Sequence, residues 1–227
     1  MQVYTPSFHL RILPQLNQLF PYAQFIALIR DGRDVAMSLK ERGWHGWSVY
    51  QRSIYWKSCV RKMLFLKTLL YKSIFIKYED IVINPVETLK RITAFLNVKF
   101  EQEMLLFYED YEENLTPVEI KSGIHTKLKR QPKVDEDVYK WKTGSSKSII
   151  WKFESVCYKE LERMGYEVAF YNKNNFFHKV GRYGYMFGGH IIVAIYNLYH
   201  KIFSQELKRI FRKKKLYNQL RTAMRKL

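Results

Sequence analysis

The sequence predicts an α/β fold built on parallel strands, and three observations carry that prediction. Phe25 to Ile29 is a short apolar run that stops at Arg30-Asp31-Gly32 and gives way to a helical pattern through Val35, Met37 and Leu39. Ile74 to Lys77 repeats the apolar run and ends in Tyr78-Glu79-Asp80. Asn84-Pro85-Val86-Glu87 then opens another helix. Strand, loop and helix in alternation is the pattern of a parallel sheet covered by helices.

Each element follows from local chemistry. Leu10, Leu13, Leu16 and Leu19 recur at three-residue spacing, the mark of a short helix that Pro14 interrupts. Phe25 to Ile29, bounded by Pro21 and by Asp31-Gly32, reads as a strand buried on both faces. The helix after it runs from Asp34 and stops near Gly43. Residues 47 to 70 read as one long amphipathic helix, and the strand at 74 to 77 follows.

Asn84 is the expected N-cap of the next helix, Pro85 its first residue, and Glu87 closes a capping box. Val86, Leu89, Ile92 and Leu96 mark its buried face. Two more helices are predicted, near 101 to 112 and from Ser146 to Met164, the second closing at Gly165. Between them, Thr116 to Thr143 is a long polar connection carrying Pro117, Gly123 and Pro132. Connections of that length are more often functional than idle.

Composition fits an ordinary globular body: 47% hydrophobic and 16% aromatic residues leave little room for extended disorder. Cys59 and Cys157 are the only cysteines, so neither a disulfide framework nor a cysteine zinc site is indicated. The first ten residues lack a charged segment followed by a long apolar one, so the expectation is cytoplasmic exposure without a signal peptide. The six histidines are scattered without ligand spacing, and no metal is expected.

The formal charge of +18 is unevenly spread. Residues 171–227 hold 13 Lys/Arg against Glu206, a net +12, while residues 1–170 hold 26 against 20, a net +6. This divides the chain into a moderately basic domain, 1–170, and a strongly basic extension, 171–227. From Tyr183 to Tyr199 the extension carries no formal charge, and Lys208, Arg209 and Arg212 to Lys215 follow. A helix of that kind suits the surface of an anionic membrane, with contact through 183–226; packing of its apolar part on the body is the competing expectation. No nucleic-acid-binding motif accompanies the charge, so nucleic acid is not the expected partner.

In open α/β sheets, ligands sit beyond the carboxyl ends of the strands. Arg30 and Tyr78 both occupy such ends, and Ser38 lies eight residues after Arg30 in the following helix. A guanidinium, a hydroxyl and a helix N-terminus suit a phosphate. On the residues alone, an Arg30–Asp34 pair tying the loop to the helix is as good a reading.

The two segments FPYAQFIALIRDGRDVAMS and IKYEDIVINPVETLKRITAFLNV together resemble the sulfotransferase family that uses 3'-phosphoadenosine 5'-phosphosulfate. Trp56 and Gly165-Tyr166 agree with that resemblance, which covers roughly Tyr4 to Tyr166. It implies a three-layer parallel sheet with flanking helices, the P-loop-NTPase-like sulfotransferase fold. It also implies that Arg30 and Ser38 hold the 3'-phosphate of the cofactor and that Tyr78 joins them. The segment HTKLKRQPKVDEDVYKW resembles the part that covers the nucleotide in sulfotransferases of the protein-tyrosine type. It adds Thr126 and Lys140 as further phosphate contacts; a solvated basic loop ending at Trp141 is the alternative.

Family members open with a strand and a loop of the type Pro-Arg/Lys-Ser-Gly-Thr around the 5'-phosphosulfate. Nothing of that kind precedes Tyr4, and KTGSSK at Lys142 to Lys147 follows Trp141 instead of a buried strand. The expectation is therefore a fold incomplete at its N-terminus, with the 3'-phosphate half of the site present and no catalytic base identifiable. His45, in RGWHGW, is read as a surface loop residue before an acceptor-site one.

The resulting functional expectation is transfer of a sulfuryl group to a hydroxyl or amine of a carbohydrate, lipid or protein. The alternatives are a remnant that only binds adenosine 3',5'-bisphosphate, and a basic membrane-surface adaptor. A P-loop kinase is disfavoured because no G-x-x-x-x-G-K-[ST] occurs.

Overall fold

The computed structural model describes residues 9–69, 72–106 and 138–202. Its elements are α1 (His9–Leu19), β1 (Phe25–Ile29), α2 (Gly32–Arg42), α3 (Val49–Leu69), β2 (Ser73–Lys77), α4 (Tyr78–Ile83), α5 (Pro85–Leu96), a 3-10 turn (Gln102–Leu106), α6 (Trp141–Gly144), α7 (Lys147–Arg163) and α8 (Phe176–Ile202). They form two compact units, one of residues 1–30 with 63–140, the other of residues 31–62 with 141–227.

The first unit is organised on a two-stranded parallel sheet among the described residues, in which Phe25 pairs with Ser73 and Ile29 with Lys77. Ile29 and Ile76 are buried, as strand burial requires, but Ile26 and Leu28 are 43% and 53% exposed. The expectation of a strand covered on both faces is thus corrected: exposure alternates along β1, and among the described residues only one face of the strand is covered. α1 runs on through Pro14 without the interruption its proline suggests.

Tyr78-Glu79-Asp80 directly follows the last residue of β2, as expected, and forms the first turn of α4. Asn84 closes α4 through its own N–H to the Asp80 carbonyl at 2.9 Å and then precedes α5, so it serves two helices at once. Its side chain makes no capping hydrogen bond, contrary to expectation. The Thr88 hydroxyl instead donates to the Asp80 carbonyl at 2.9 Å and ties the two helices together. Thr88 and Thr93 are the buried residues of α5, while Val86 is exposed. Beyond the 3-10 turn, the helix expected near 101–112 and the long polar connection lie mostly outside the described residues.

The second unit holds the larger core. Its centre is Trp56 of α3 against Phe153 of α7, with ring centroids 5.7 Å apart, joined by Val60, Ile150, Val156 and Leu161. The start of α3 is buried all round: Val49 to Ser53 all lie inside, so the helix lacks the single apolar face expected of it. The cause is that Tyr50 packs on α8, where the backbone at Gly189 leaves no room for a Cβ, while Trp56 faces α7.

Capping follows the sequence closely in this unit. Asp31 caps α2, and Gly43 ends it in the left-handed conformation at φ 69°. The Ser146 hydroxyl caps α7, which closes at Gly165 with φ 70°. Gly32 is required by space: a Cβ there would lie 2.5 Å from Phe153 Cζ and from the Trp56 ring.

Candidate functional site

In the first unit, pairing of Ile29 with Lys77 makes Arg30 and Tyr78 the next residues at the carboxyl edge of adjacent parallel strands. The Arg30 guanidinium lies 4.6 Å from the centre of the Tyr78 ring, and both residues are half-buried. A cation held over an aromatic face keeps its charge in one place without neutralising it. At the carboxyl edge of a parallel sheet, such a charge is suited to an oxyanion.

Asp31, Arg33 and Asp34, the charged residues that follow Arg30, do different work, all within the second unit. Arg33 reaches Asp31 through Nε at 3.0 Å and Nη2 at 2.7 Å, and Glu154 through Nη1 at 2.7 Å. Its guanidinium stacks 3.6 Å from the Trp141 ring centre. The indole N–H donates to Asp31 at 3.1 Å, and the Trp141 backbone N–H donates to Asp34 at 2.9 Å. Glu154 also accepts the backbone N–H groups of Ala169 at 3.0 Å, Phe170 at 2.7 Å and Tyr171 at 2.8 Å.

Asp31, Arg33, Asp34 and Glu154 are all buried. Burial by itself would lower the Arg33 pKa, but the carboxylates of Asp31 and Glu154 outweigh it and hold the group above its ordinary value. This is a buried structural junction in which Arg33 is paired with both Asp31 and Glu154; it holds α2, α6 and α7 and the segment 169–171 together.

Of the residues expected at the cofactor, Arg30 and Tyr78 are brought together. Ser38 is half-buried on α2 in the second unit, and Lys140 is half-buried immediately before α6. Thr126 lies outside the described residues. Lys142 to Gly144 belong to α6 and Ser146 is a helix cap, so KTGSSK is not a strand-to-helix phosphate loop. His45 sits in a left-handed turn with φ 54° and stacks on Tyr55, ring centres 3.5 Å apart.

A cavity of about 370 Å³ opens in the second unit beside the junction, lined in part by Arg33, Lys40, Arg52, Trp141 and Phe153. Among the described residues, no group of three or more His, Cys, Asp or Glu side chains could hold a metal ion.

Sequence reasoning missed Glu154 and the role of Trp141. A signal for the first exists: Glu154 sits on the face of α7 that carries Ile150, Phe153, Cys157 and Leu161, where a carboxylate needs a buried partner. For Trp141 the sequence offers the end of a nucleotide-covering segment or of a basic loop, and neither reading reveals its stacking on Arg33 and its hydrogen bond to Asp31.

Residues 5–102 match the model of the sulfotransferase family. A protein of Caenorhabditis briggsae with the provisional name protein-tyrosine sulfotransferase is 30% identical over 128 residues, 51% of this chain and 46% of that protein. A protein of Caenorhabditis elegans with the same provisional name is 32% identical over 128 residues, 51% of this chain and 49% of that protein. The chain therefore spans about half the length of the curated relatives it matches.

Proposed function

We propose that this chain, whose residues 5–102 match the sulfotransferase family model, binds 3'-phosphoadenosine 5'-phosphosulfate and serves transfer of its sulfuryl group to a tyrosine hydroxyl of a protein acceptor. The observation that carries the reading is Arg30 stacked at 4.6 Å over Tyr78 on the carboxyl edge of the parallel strands, inside the matched segment. The tyrosine acceptor is suggested by the names of the two relatives. A carbohydrate or lipid hydroxyl, or an amine, is the wider acceptor class.

In this reading β1 and β2 are two strands of a larger, three-layer parallel sheet of the P-loop-NTPase-like sulfotransferase kind. Residues 1–170 carry the transferase and 171–227 the basic extension. Arg30 neutralises the 3'-phosphate and fixes the nucleotide, with Tyr78 holding the guanidinium in position. Ser38, Thr126 and Lys140 are proposed as additional phosphate ligands.

The donor supplies an activated sulfuryl group. The acceptor oxygen attacks sulfur in line, the S–O bond to the 5'-phosphate breaks, the acceptor gives up its proton, and adenosine 3',5'-bisphosphate leaves. What this chain contributes is position and positive charge, the two terms on which such transfers mainly depend.

The test is incubation of the full chain with sulfur-labelled donor and a tyrosine-containing peptide. Label on tyrosine, lost in Arg30→Ala, is the expected result. Binding of adenosine 3',5'-bisphosphate without transfer would limit the function to nucleotide binding, and failure of both would overturn the proposal.

A further inference from the structure

The helix α8 is held to its unit by one face only. Tyr50 donates to or accepts from His190 Nε2 at 3.1 Å, Arg182 Nε donates to the Ser155 carbonyl at 2.7 Å, and Trp47 packs edge-on against Tyr196 at 5.0 Å. Gly181 lies against Trp151 and Gly189 against Tyr50 on the same side. With 3.6 residues per turn, these positions share one stripe of the helix.

The opposite stripe is apolar and open. Phe177 is 79% exposed and Phe187 72%, and Val180, Ile191, Ile195 and Leu198 line the same face. The row is about 33 Å long from Phe176 to Leu198 at the usual helical rise, and it is much larger than the scattered apolar residues an ordinary surface shows. Between Tyr183 and Tyr199 no residue on any face carries a formal charge.

Charge selects what covers this stripe. Residues 203–227, directly after it, contain nine Lys/Arg and one acid, a net +8. An open apolar helix face followed by a dense cationic segment matches a surface that is apolar beneath and anionic above. No described helix is long and apolar enough to cross a membrane; the one-sided apolar face of α8 suits a helix lying along one.

We infer that the outward face of α8, Phe177–Val180–Phe187–Ile191–Leu198, rests in the interface of an anionic lipid bilayer, the preference for anionic lipid coming from the net charge of +8 in residues 203–227. The inference does not depend on the sulfotransferase reading, since none of these residues belongs to the Arg30–Tyr78 site.

The experiment is sedimentation of the full chain with vesicles of phosphatidylcholine alone and of phosphatidylcholine with phosphatidylserine. Binding is expected to the second and to fall with salt. Phe187→Glu with Ile191→Glu is expected to reduce it at least tenfold with no change in melting temperature, because both side chains point outward. Lys213→Gln with Lys214→Gln and Lys215→Gln is expected to weaken binding to the anionic vesicles alone. Should the glutamates lower the melting temperature, Val180→Gln with Leu198→Gln tests the same face more gently.

Undiminished binding by the folded stripe variants would overturn the proposal, as would failure of the unaltered chain to bind anionic vesicles. A dimer that the stripe variants convert to monomer, with no vesicle binding, would assign the face to a protein contact instead.

Discussion

Arg33 and Glu154, 121 positions apart in sequence, meet at 2.7 Å inside the second unit, and neither side chain is more than 3% exposed. Glu154 has further duties, since three successive backbone N–H groups from Ala169 to Tyr171 also end on its oxygens. Removing it leaves an arginine with half its charge compensation and three backbone donors, that of Tyr171 buried, without their acceptor. Glu154→Ala is expected to destabilise the fold by about 3–5 kcal/mol, the usual cost of breaking one side of a buried ion pair. Urea denaturation followed by tryptophan fluorescence measures this, and a loss below about 1 kcal/mol would mean that the junction is not what holds these segments.

Gly32 offers a sharper steric test. A Cβ 2.5 Å from both Phe153 and Trp56 cannot be accommodated without moving the largest aromatic contact of that core. Gly32→Ala is expected to cost about 1–3 kcal/mol, although alanine is the better helix former. A melting temperature equal to or above that of the unaltered protein would show that the core yields easily.

Cys157 is expected to be chemically silent in the folded protein. It is fully buried, its thiol donates to the Ser53 carbonyl at 3.3 Å, and burial pushes its pKa well above the ordinary thiol value. The thiolate that reacts with alkylating agents is therefore scarce. Mass spectrometry after iodoacetamide treatment should find Cys157 modified only when denaturant is present; rapid native labelling would contradict its placement.

His45 gives a pH signature. Partial desolvation of the ring, which stacks on Tyr55, lowers its pKa from the usual 6.5. Between that lowered value and 6.5 the unfolded chain binds the proton more readily than the folded one, so stability rises with pH there. The contribution is complete above 6.5 and is lost as the pH falls through the folded value. Urea midpoints collected across this range should show a steeper pH slope for the unaltered chain than for His45→Asn. Equal slopes would show that the stacking does not persist in solution.

The elements that the sequence made legible are those fixed by local chemistry. Gly43 and Gly165 end their helices because a left-handed residue is needed there, and Ser146 starts α7 with its hydroxyl. The strand ends that carry Arg30 and Tyr78 were legible for the same reason, because apolar runs stop where charge begins. What sequence could not reveal depends on distant contacts. The division of labour inside Arg30-Asp31-Gly32-Arg33-Asp34 rests on Glu154 and Trp141, more than a hundred residues away, and nothing local distinguishes the arginine that is sealed from the one at the sheet edge. The partial exposure of β1 and the all-round burial at the start of α3 are likewise tertiary facts, which periodicity alone misjudges.

The central claim is that Arg30, held over Tyr78, reads a 3'-phosphate. Isothermal titration of the full chain with adenosine 3',5'-bisphosphate, beside 5'-AMP, addresses it most directly. The expected result is binding of the bisphosphate at least tenfold tighter than 5'-AMP, a preference abolished by Arg30→Ala, reduced by Tyr78→Ala and largely kept by Tyr78→Phe, which preserves the ring beneath the guanidinium. Equal affinity for the two nucleotides, or an Arg30→Ala protein that still prefers the bisphosphate, would contradict it.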